Sequence, residues 1–130
     1  MLFKDDQHKE FYEDSIAKTN AAGDPYRKAL FYTLGLTGET RNNINALYDF
    51  EENGIKPEGI KNPWQTGTSK KVTRLAFNLY NGYHGNPELG DDASYYTPEE
   101  IFCNGLMVYF FIAIRLRYPE YYHEAGGSAE

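Results

Sequence analysis

The residues that could bind an anion are concentrated in one segment of the chain, residues 56–81. This segment contains five basic residues and one acidic residue, a net charge of +4, whereas the rest of the chain carries −10. Lys70 and Lys71 fall in the first turn of a predicted helix. The helix dipole already places about half a positive charge at that end, so helix stability alone would favour acidic residues. Anion binding would explain the two lysines.

The neighbouring residues favour the same kind of site. Gly67-Thr68-Ser69 precedes the lysines and offers backbone N–H groups and two hydroxyls, which are the donors that bind phosphate at helix starts. Arg74 lies one helical turn beyond Lys70, and Asn78 extends that face. An aromatic ring and an amide just upstream suit a nucleobase or a sugar. The candidate ligand-binding residues are Trp64, Gln65, Thr68, Ser69, Lys70, Lys71, Arg74 and Asn78.

A purely structural interpretation of these residues stays open. Gly-Thr-Ser before a helix is an ordinary capping sequence, with Thr68 or Ser69 as the N-cap. The lysines could be solvated, or could pair with acidic residues near the end of the preceding helix, such as Glu51 and Glu52. Trp64 could anchor the core. The segment is not a P-loop, because the Gly-x-x-x-x-Gly-Lys-[Ser/Thr] spacing is absent.

Catalytic and metal-binding patterns are weak. His8, His84 and His123 are far apart, and none has a His or Cys partner at the spacing of metal ligands. Cys103 lies among apolar residues, and we expect it to be a small core residue. A single cysteine also excludes an internal disulfide and fits a reducing compartment. We therefore predict a binding protein that is not an enzyme and uses no cofactor or metal.

Composition favours one helical domain in the cytoplasm. The chain has 130 residues, the usual size of one domain, and we expect residues 1–130 to form it. The net charge of −6 argues against generic nucleic-acid binding, which requires a basic excess. The longest apolar stretch, Leu106–Ile114, is too short to span a bilayer, so we expect no membrane contact. The charged amino terminus lacks the apolar run of a signal peptide.

Capping signals and apolar periodicity predict an all-α fold, a compact bundle of four to five helices with two Gly/Pro-rich loops. Asp24-Pro25 and Thr97-Pro98 are the clearest helix starts, each with an N-cap residue followed by proline. The predicted helices cover about 4–21, 25–34, 39–50, 69–81 and 98–118, and the predicted loops cover 51–68 and 82–96, with a short helical turn allowed after Pro57.

The last predicted helix and the tyrosines around it favour a partner surface. Leu106–Ile114 is apolar on every side, which is typical of a central bundle helix or of a dimer face. Tyrosines cluster near the ends of this helix, and tyrosine is enriched where proteins meet their partners. They could equally cover the rim of a small core. We predict a homodimer that uses this helix or the segment Tyr118–Tyr122.

Parts of the chain resemble a known family. The segments that carry the resemblance are Arg27-Lys-Ala-Leu-Phe-Tyr32, Tyr48-Asp-Phe-Glu-Glu-Asn-Gly-Ile-Lys-Pro57 and Trp64-Gln-Thr-Gly-Thr-Ser69 through Gly82. There the chain is similar to the small family called domain of unknown function 6075, over roughly residues 4–82. The last helix is similar only loosely, and the loop 83–96 is particular to this chain. The family has no agreed activity, so the resemblance implies no catalytic residues; it implies a bacterial or phage cytoplasmic setting.

Two functions follow as hypotheses. In the first, the protein binds and sequesters a phosphorylated small molecule or nucleotide signal without turning it over, as a phage counter-defence protein would. In the second, it is an acidic inhibitor that occupies a basic site on a host defence protein such as a nuclease, through charge complementarity. The basic segment favours the first hypothesis and the acidic remainder favours the second. The lysines at the helix start lead us to prefer the first.

Overall fold

A computed structural model gives the fold, and it describes residues 1–123. This part of the chain is mostly helical, which confirms the predicted all-α class. Each of its helices is too short or too polar to cross a bilayer. In chain order the elements are α1 (Asp6–Thr19), α2 (Pro25–Leu34), α3 (Gly38–Asn42), α4 (Ile44–Leu47), β1 (Tyr48–Asp49), β2 (Gly54–Ile55), α5 (Gly67–Asn81), α6 (Pro98–Ile101) and α7 (Met107–Arg117), with short 3-10 turns at Pro57–Lys61, Pro87–Leu89, Ala93–Tyr96 and Pro119–Tyr121.

Helix α2 occupies the centre of the bundle. Asp24 caps it by accepting hydrogen bonds from the backbone N–H groups of Tyr26 and Arg27, and Pro25 fills the first helical position, as predicted. Every residue from Ala29 to Leu34 is buried, because α1, α5 and α7 pack around the helix. The central position therefore belongs to α2 and not to the apolar stretch Leu106–Ile114.

The predicted helix over residues 39–50 is wrong in its length. It is broken at Asn43, whose side-chain amide donates to the carbonyl of Glu39 at 2.8 Å. It then ends at Leu47, because Tyr48–Asp49 pairs with Gly54–Ile55 as an antiparallel hairpin. Asn53 supplies the turn with φ of +59°, a left-handed conformation that asparagine tolerates.

The predicted continuous helix over residues 98–118 is also wrong. Thr97 caps its start as expected, but residues 102–106 separate α6 from α7. The Asn104 side chain donates to the carbonyl of Ile101 and accepts from the backbone N–H of Leu106, both at 2.8 Å. These local bonds replace the helical ones. Cys103 lies in this interruption and is exposed, so the expected core position is wrong.

Two ordered connections bring distant residues beside α5. The turn Pro57–Lys61 packs on α4 so closely that a Cβ atom at Gly59 would lie 2.4 Å from the Ala46 carbonyl oxygen. The loop 82–96 is closed by backbone pairing between Asn86 and Asp91. These packed connections place Lys61 and Asp91 next to the same helix.

Candidate functional site

The start of α5 is fixed by a reciprocal cap. The N-cap is Thr66, whose hydroxyl accepts from the backbone N–H of Ser69 at 3.0 Å. The Ser69 hydroxyl accepts in turn from the backbone N–H of Thr66 at 2.7 Å and donates to the Gln65 side-chain oxygen at 2.6 Å. The sequence-based assignment of Thr68 or Ser69 as N-cap is therefore wrong. Ser69 is fully buried, so its hydroxyl holds the helix start together.

Gln65 and Trp64 build the structure behind the site. The Gln65 amide donates to the carbonyl of Gly59 and to the hydroxyl of Thr73, both at 3.2 Å, and so ties the turn Pro57–Lys61 to α5. Trp64 is half-buried against the core, and its indole N–H donates to the Asn62 side chain at 3.2 Å. These contacts support the anchoring interpretation of Trp64 over the stacking one.

A basic cavity of about 270 Å³ lies between the turn Pro57–Lys61, helix α5 and the loop 82–96. Its wall contains three cationic side chains, one carboxylate and one tyrosine ring. The lining residues are Ile60, Lys61, Lys70, Arg74, Gly90, Asp91 and Tyr95. Two of the eight predicted ligand-binding residues, Lys70 and Arg74, thus face one cavity.

The charge of Arg74 is neutralised within the fold. Its Nε donates to the Asp91 carboxylate at 3.0 Å, and that carboxylate is 1 % exposed. The guanidinium also stacks 4.5 Å from the Tyr95 ring centre. The Tyr96 hydroxyl donates to the same carboxylate, and burial together with this bond raises the pKa of Tyr96. Arg74 therefore fastens the loop 82–96 to α5 and forms a fixed wall of the cavity.

Lys61 and Lys70 differ from Arg74 because neither has an acidic partner among residues 1–123. The ion pairs within residues 1–123 are Lys4–Asp5, Arg27–Asp24 and Arg74–Asp91. The predicted alternative, in which the lysines of α5 pair with Glu51 or Glu52, is absent from this described part of the chain. With Arg74 and Asp91 cancelling each other, the two ammonium groups give the cavity its positive charge.

The remaining predicted residues lie outside the cavity. The Lys71 ammonium donates to the backbone carbonyl of Glu100 and points toward α6. The Asn78 amide donates to the carbonyl of Tyr83 at 3.1 Å and holds the start of the next loop. Thr68 is exposed at the second position of α5.

Sequence reasoning missed five of the seven lining residues, and two of the five, Lys61 and Tyr95, carry side chains that could contact a ligand directly. The other three are Ile60, Gly90 and Asp91. Lys61 belongs to the basic segment, and the turn predicted after Pro57 was a signal that it could be fixed in place. Tyr95 was noticed only as part of a tyrosine cluster. Among residues 1–123, no three His, Cys, Asp or Glu side chains are grouped so that they could hold a metal ion.

Comparison with known proteins places the chain in a family. Residues 1–129 match the family of unknown function DUF6075, so the chain belongs to that family. The match extends beyond the resemblance over residues 4–82 and includes the loop 83–96 and the last helix. No curated protein and no solved structure matches the chain.

Proposed function

We propose that this member of the DUF6075 family is a non-enzymatic binding protein that holds the phosphoryl group of a small ligand, such as a nucleotide, in the basic cavity beside α5. The observation that carries the proposal is the convergence of Lys61 and Lys70, two ammonium groups with no acidic partner among residues 1–123, on one cavity. Hydrogen bonds between such cations and a phosphate are among the stronger ones in proteins.

The size and lining of the cavity define the ligand class. At about 270 Å³ it lies just below the range of about 300–1,000 Å³ that is typical of pockets for drug-sized ligands. It therefore suits a phosphoryl group with part of a sugar. Tyr95 is 41 % exposed at the rim, so its ring offers a surface on which a base outside the cavity can stack.

A protein that binds a phosphorylated signal molecule without converting it acts by sequestering that molecule. In a phage counter-defence setting, the protein would lower the free concentration of a phosphorylated signal in proportion to its own abundance. This role needs affinity and no catalytic group. The ligand would be recognised by its phosphate through Lys61 and Lys70 and by its ring through Tyr95.

Calorimetric titration with a matched pair of variants tests this proposal. Lys70→Gln and Lys71→Gln remove the same charge from the fourth and fifth positions of α5, but only Lys70 lines the cavity. With a nucleoside monophosphate and a cyclic dinucleotide as probes, Lys70→Gln should weaken binding by about 10- to 100-fold, the loss of one charged hydrogen bond. Lys71→Gln should change it by less than about twofold. Equal losses would contradict the proposal.

The second function predicted from the sequence, an acidic inhibitor of a basic host protein, stays a prediction. Helix α1 presents Asp6, Glu10, Glu13 and Asp14 to solvent, which is a surface that such an inhibitor could use. Replacing Glu10 and Glu13 by Lys would abolish inhibition of a nuclease and leave nucleotide binding unchanged. Lys70→Gln would weaken nucleotide binding and leave inhibition of the nuclease unchanged. The two variants therefore separate the two functions.

A further inference from the structure

Helix α7 is apolar from Met107 to Ile114, but the fold covers only one side of it. Phe110 and Ala113 are fully buried against the core, whereas Val108 is 55 % exposed and Phe111 is 52 % exposed. The helix contains no acidic residue, and its mean hydropathy is the highest among the four longer helices. Exposing these apolar side chains to water is unfavourable in free energy.

A groove of about 650 Å³ runs along the outer side of α7. Its opposite wall is the amino-terminal segment, which is held in place because the Tyr32 hydroxyl donates to the Leu2 carbonyl at 2.7 Å. We call this groove and its borders the α7 face, formed chiefly by Leu2, Val108, Phe111, Ile112, Leu116 and Tyr122. Both walls of the α7 face are therefore anchored to the core.

A second, smaller cavity of about 260 Å³ lies next to the groove, between the end of α7 and the tyrosines that follow it. Tyr121 is 76 % exposed beside Tyr122, and the Arg115 guanidinium stacks 4.1 Å from the Tyr122 ring centre. In a twofold contact between identical chains, the same surface patch of both copies meets and must be complementary to itself. On the α7 face the exposed Tyr121 side chain lies beside two cavities, so it can insert into a cavity of the second copy.

The apolar area is large enough for a stable dimer. Seven large apolar side chains on or beside the face are between 41 % and 76 % exposed. Because an aromatic side chain presents about 150–250 Å², the three aromatic ones, Phe111, Tyr121 and Tyr122, alone leave roughly 250–420 Å² in water. The four aliphatic ones, Met1, Leu2, Met107 and Val108, add to this area. One partner of a standard-size interface buries about 800 Å², and the largest apolar patch on a typical monomer covers only about 300–600 Å².

The charge distribution favours a second copy of this chain as the occupant. The chain carries a net charge of −6, so two copies repel each other over most of their surfaces. Residues 102–119 contain no carboxylate, and Arg117 is turned inward, where its Nε donates to the carbonyl of Leu79 at 2.7 Å. The α7 helix side of the face is thus free of carboxylates, and exposed Glu120 lies at its edge, beside Tyr121.

We infer that a second copy of this chain docks on the α7 face and forms a twofold dimer with Phe111 near its centre. This inference is independent of the phosphate proposal, because the residues that line the α7 face and those that line the basic cavity do not overlap. The dimer buries the outer side of α7 and leaves both basic cavities open.

Sedimentation velocity tests the inference. At about 50 μM the wild-type protein should have twice the 14.9 kDa chain mass. Phe111→Glu and Val108→Glu each place two like charges in the apolar contact and should weaken dimerisation at least tenfold. Ala17→Glu adds the same charge at an exposed position of α1 and should leave the dimer unchanged. Circular dichroism checks that each variant is folded.

Two results would overturn the inference. A monomeric wild-type protein would exclude a second copy as the occupant of the α7 face. A dimer that persists in both folded variants, Phe111→Glu and Val108→Glu, would place the contact on another surface.

Discussion

Arg74 and Asp91 form an ion pair that joins helix α5 to the loop 82–96, with 3.0 Å between Nε and Oδ1 and with the two side chains 14 % and 1 % exposed. The pair has two consequences for the cavity. It fixes the position of the loop that carries Tyr95. It also neutralises the charge of Arg74, so this side chain no longer adds to the positive charge that attracts an anionic ligand. Lys61 and Lys70 are left as the cations that give the cavity its charge.

Removing the buried carboxylate should destabilise the fold. Asp91→Ala leaves the Arg74 guanidinium without its counterion, and breaking one partner of a buried pair typically costs about 3–5 kcal/mol in the free energy of unfolding. Glu88→Ala removes an exposed carboxylate from the same loop and should change that free energy by less than about 0.5 kcal/mol. Urea denaturation measures both. Similar stabilities for the two variants would contradict the assigned role of the pair.

The position of the α5 cap gives a second prediction. Thr66→Ala removes the acceptor for the backbone N–H of Ser69 and should lower the free energy of unfolding by about 0.5–2 kcal/mol. Thr68→Ala alters an exposed hydroxyl two residues further on and should be nearly neutral. Thermal melts of the two variants decide the point, since a cap at Thr68 would reverse the order of their stabilities.

A buried histidine makes stability depend on pH. His8 is fully buried, and its Nδ1 accepts a hydrogen bond from the backbone N–H of Lys4 at 3.0 Å. Because Nδ1 is an acceptor, the ring proton lies on Nε2, which donates to the Tyr32 carbonyl at 2.7 Å. Burial lowers the pKa of His8 below its ordinary value of 6.5. The unfolded chain therefore binds this proton first. Stability contributed by neutral His8 is present above pH 6.5 and is lost as the pH falls toward 5, by up to about 1.4 kcal/mol per unit.

Two variants isolate this effect in urea denaturation at pH 7 and pH 5. His8→Gln cannot titrate, so the difference in unfolding free energy between the two pH values should shrink. His84→Gln removes an exposed imidazole and should keep the wild-type difference. A wild-type protein that is equally stable at both pH values would contradict the prediction.

Local signals in the sequence predicted the starts and ends of several helices. Asp24-Pro25 and Thr97-Pro98 are correct N-terminal caps, and Gly82 ends α5 with φ of +79°. Capping bonds join residues only two to four positions apart, so they can be read from a short window of sequence. The apolar periodicity of α5 was equally local, and Val72 and Leu79 are buried as it predicted.

The errors arose where the outcome depends on side-chain hydrogen bonds or on distant packing. Asn104 ends one helix and begins another through its own side chain, while the apolar pattern continues across it. The cavity brings together Lys61, Lys70 and Tyr95, which are separated by 9 and 25 positions. Their approach depends on the close packing of Gly59 against α4 and on the Asp91 ion pair, which no local pattern encodes.

The most direct test of the phosphate site is a titration of ¹⁵N-labelled protein with pyrophosphate, followed by two-dimensional NMR. If phosphate binds in the cavity, the amide resonances of Lys61, Lys70 and Gly90 should shift and saturate with a Kd at or below about 1 mM. These shifts should disappear in Lys70→Gln and persist in Lys71→Gln. Shifts that do not saturate at about ten times that concentration, or that are equally large at Lys71, would contradict it.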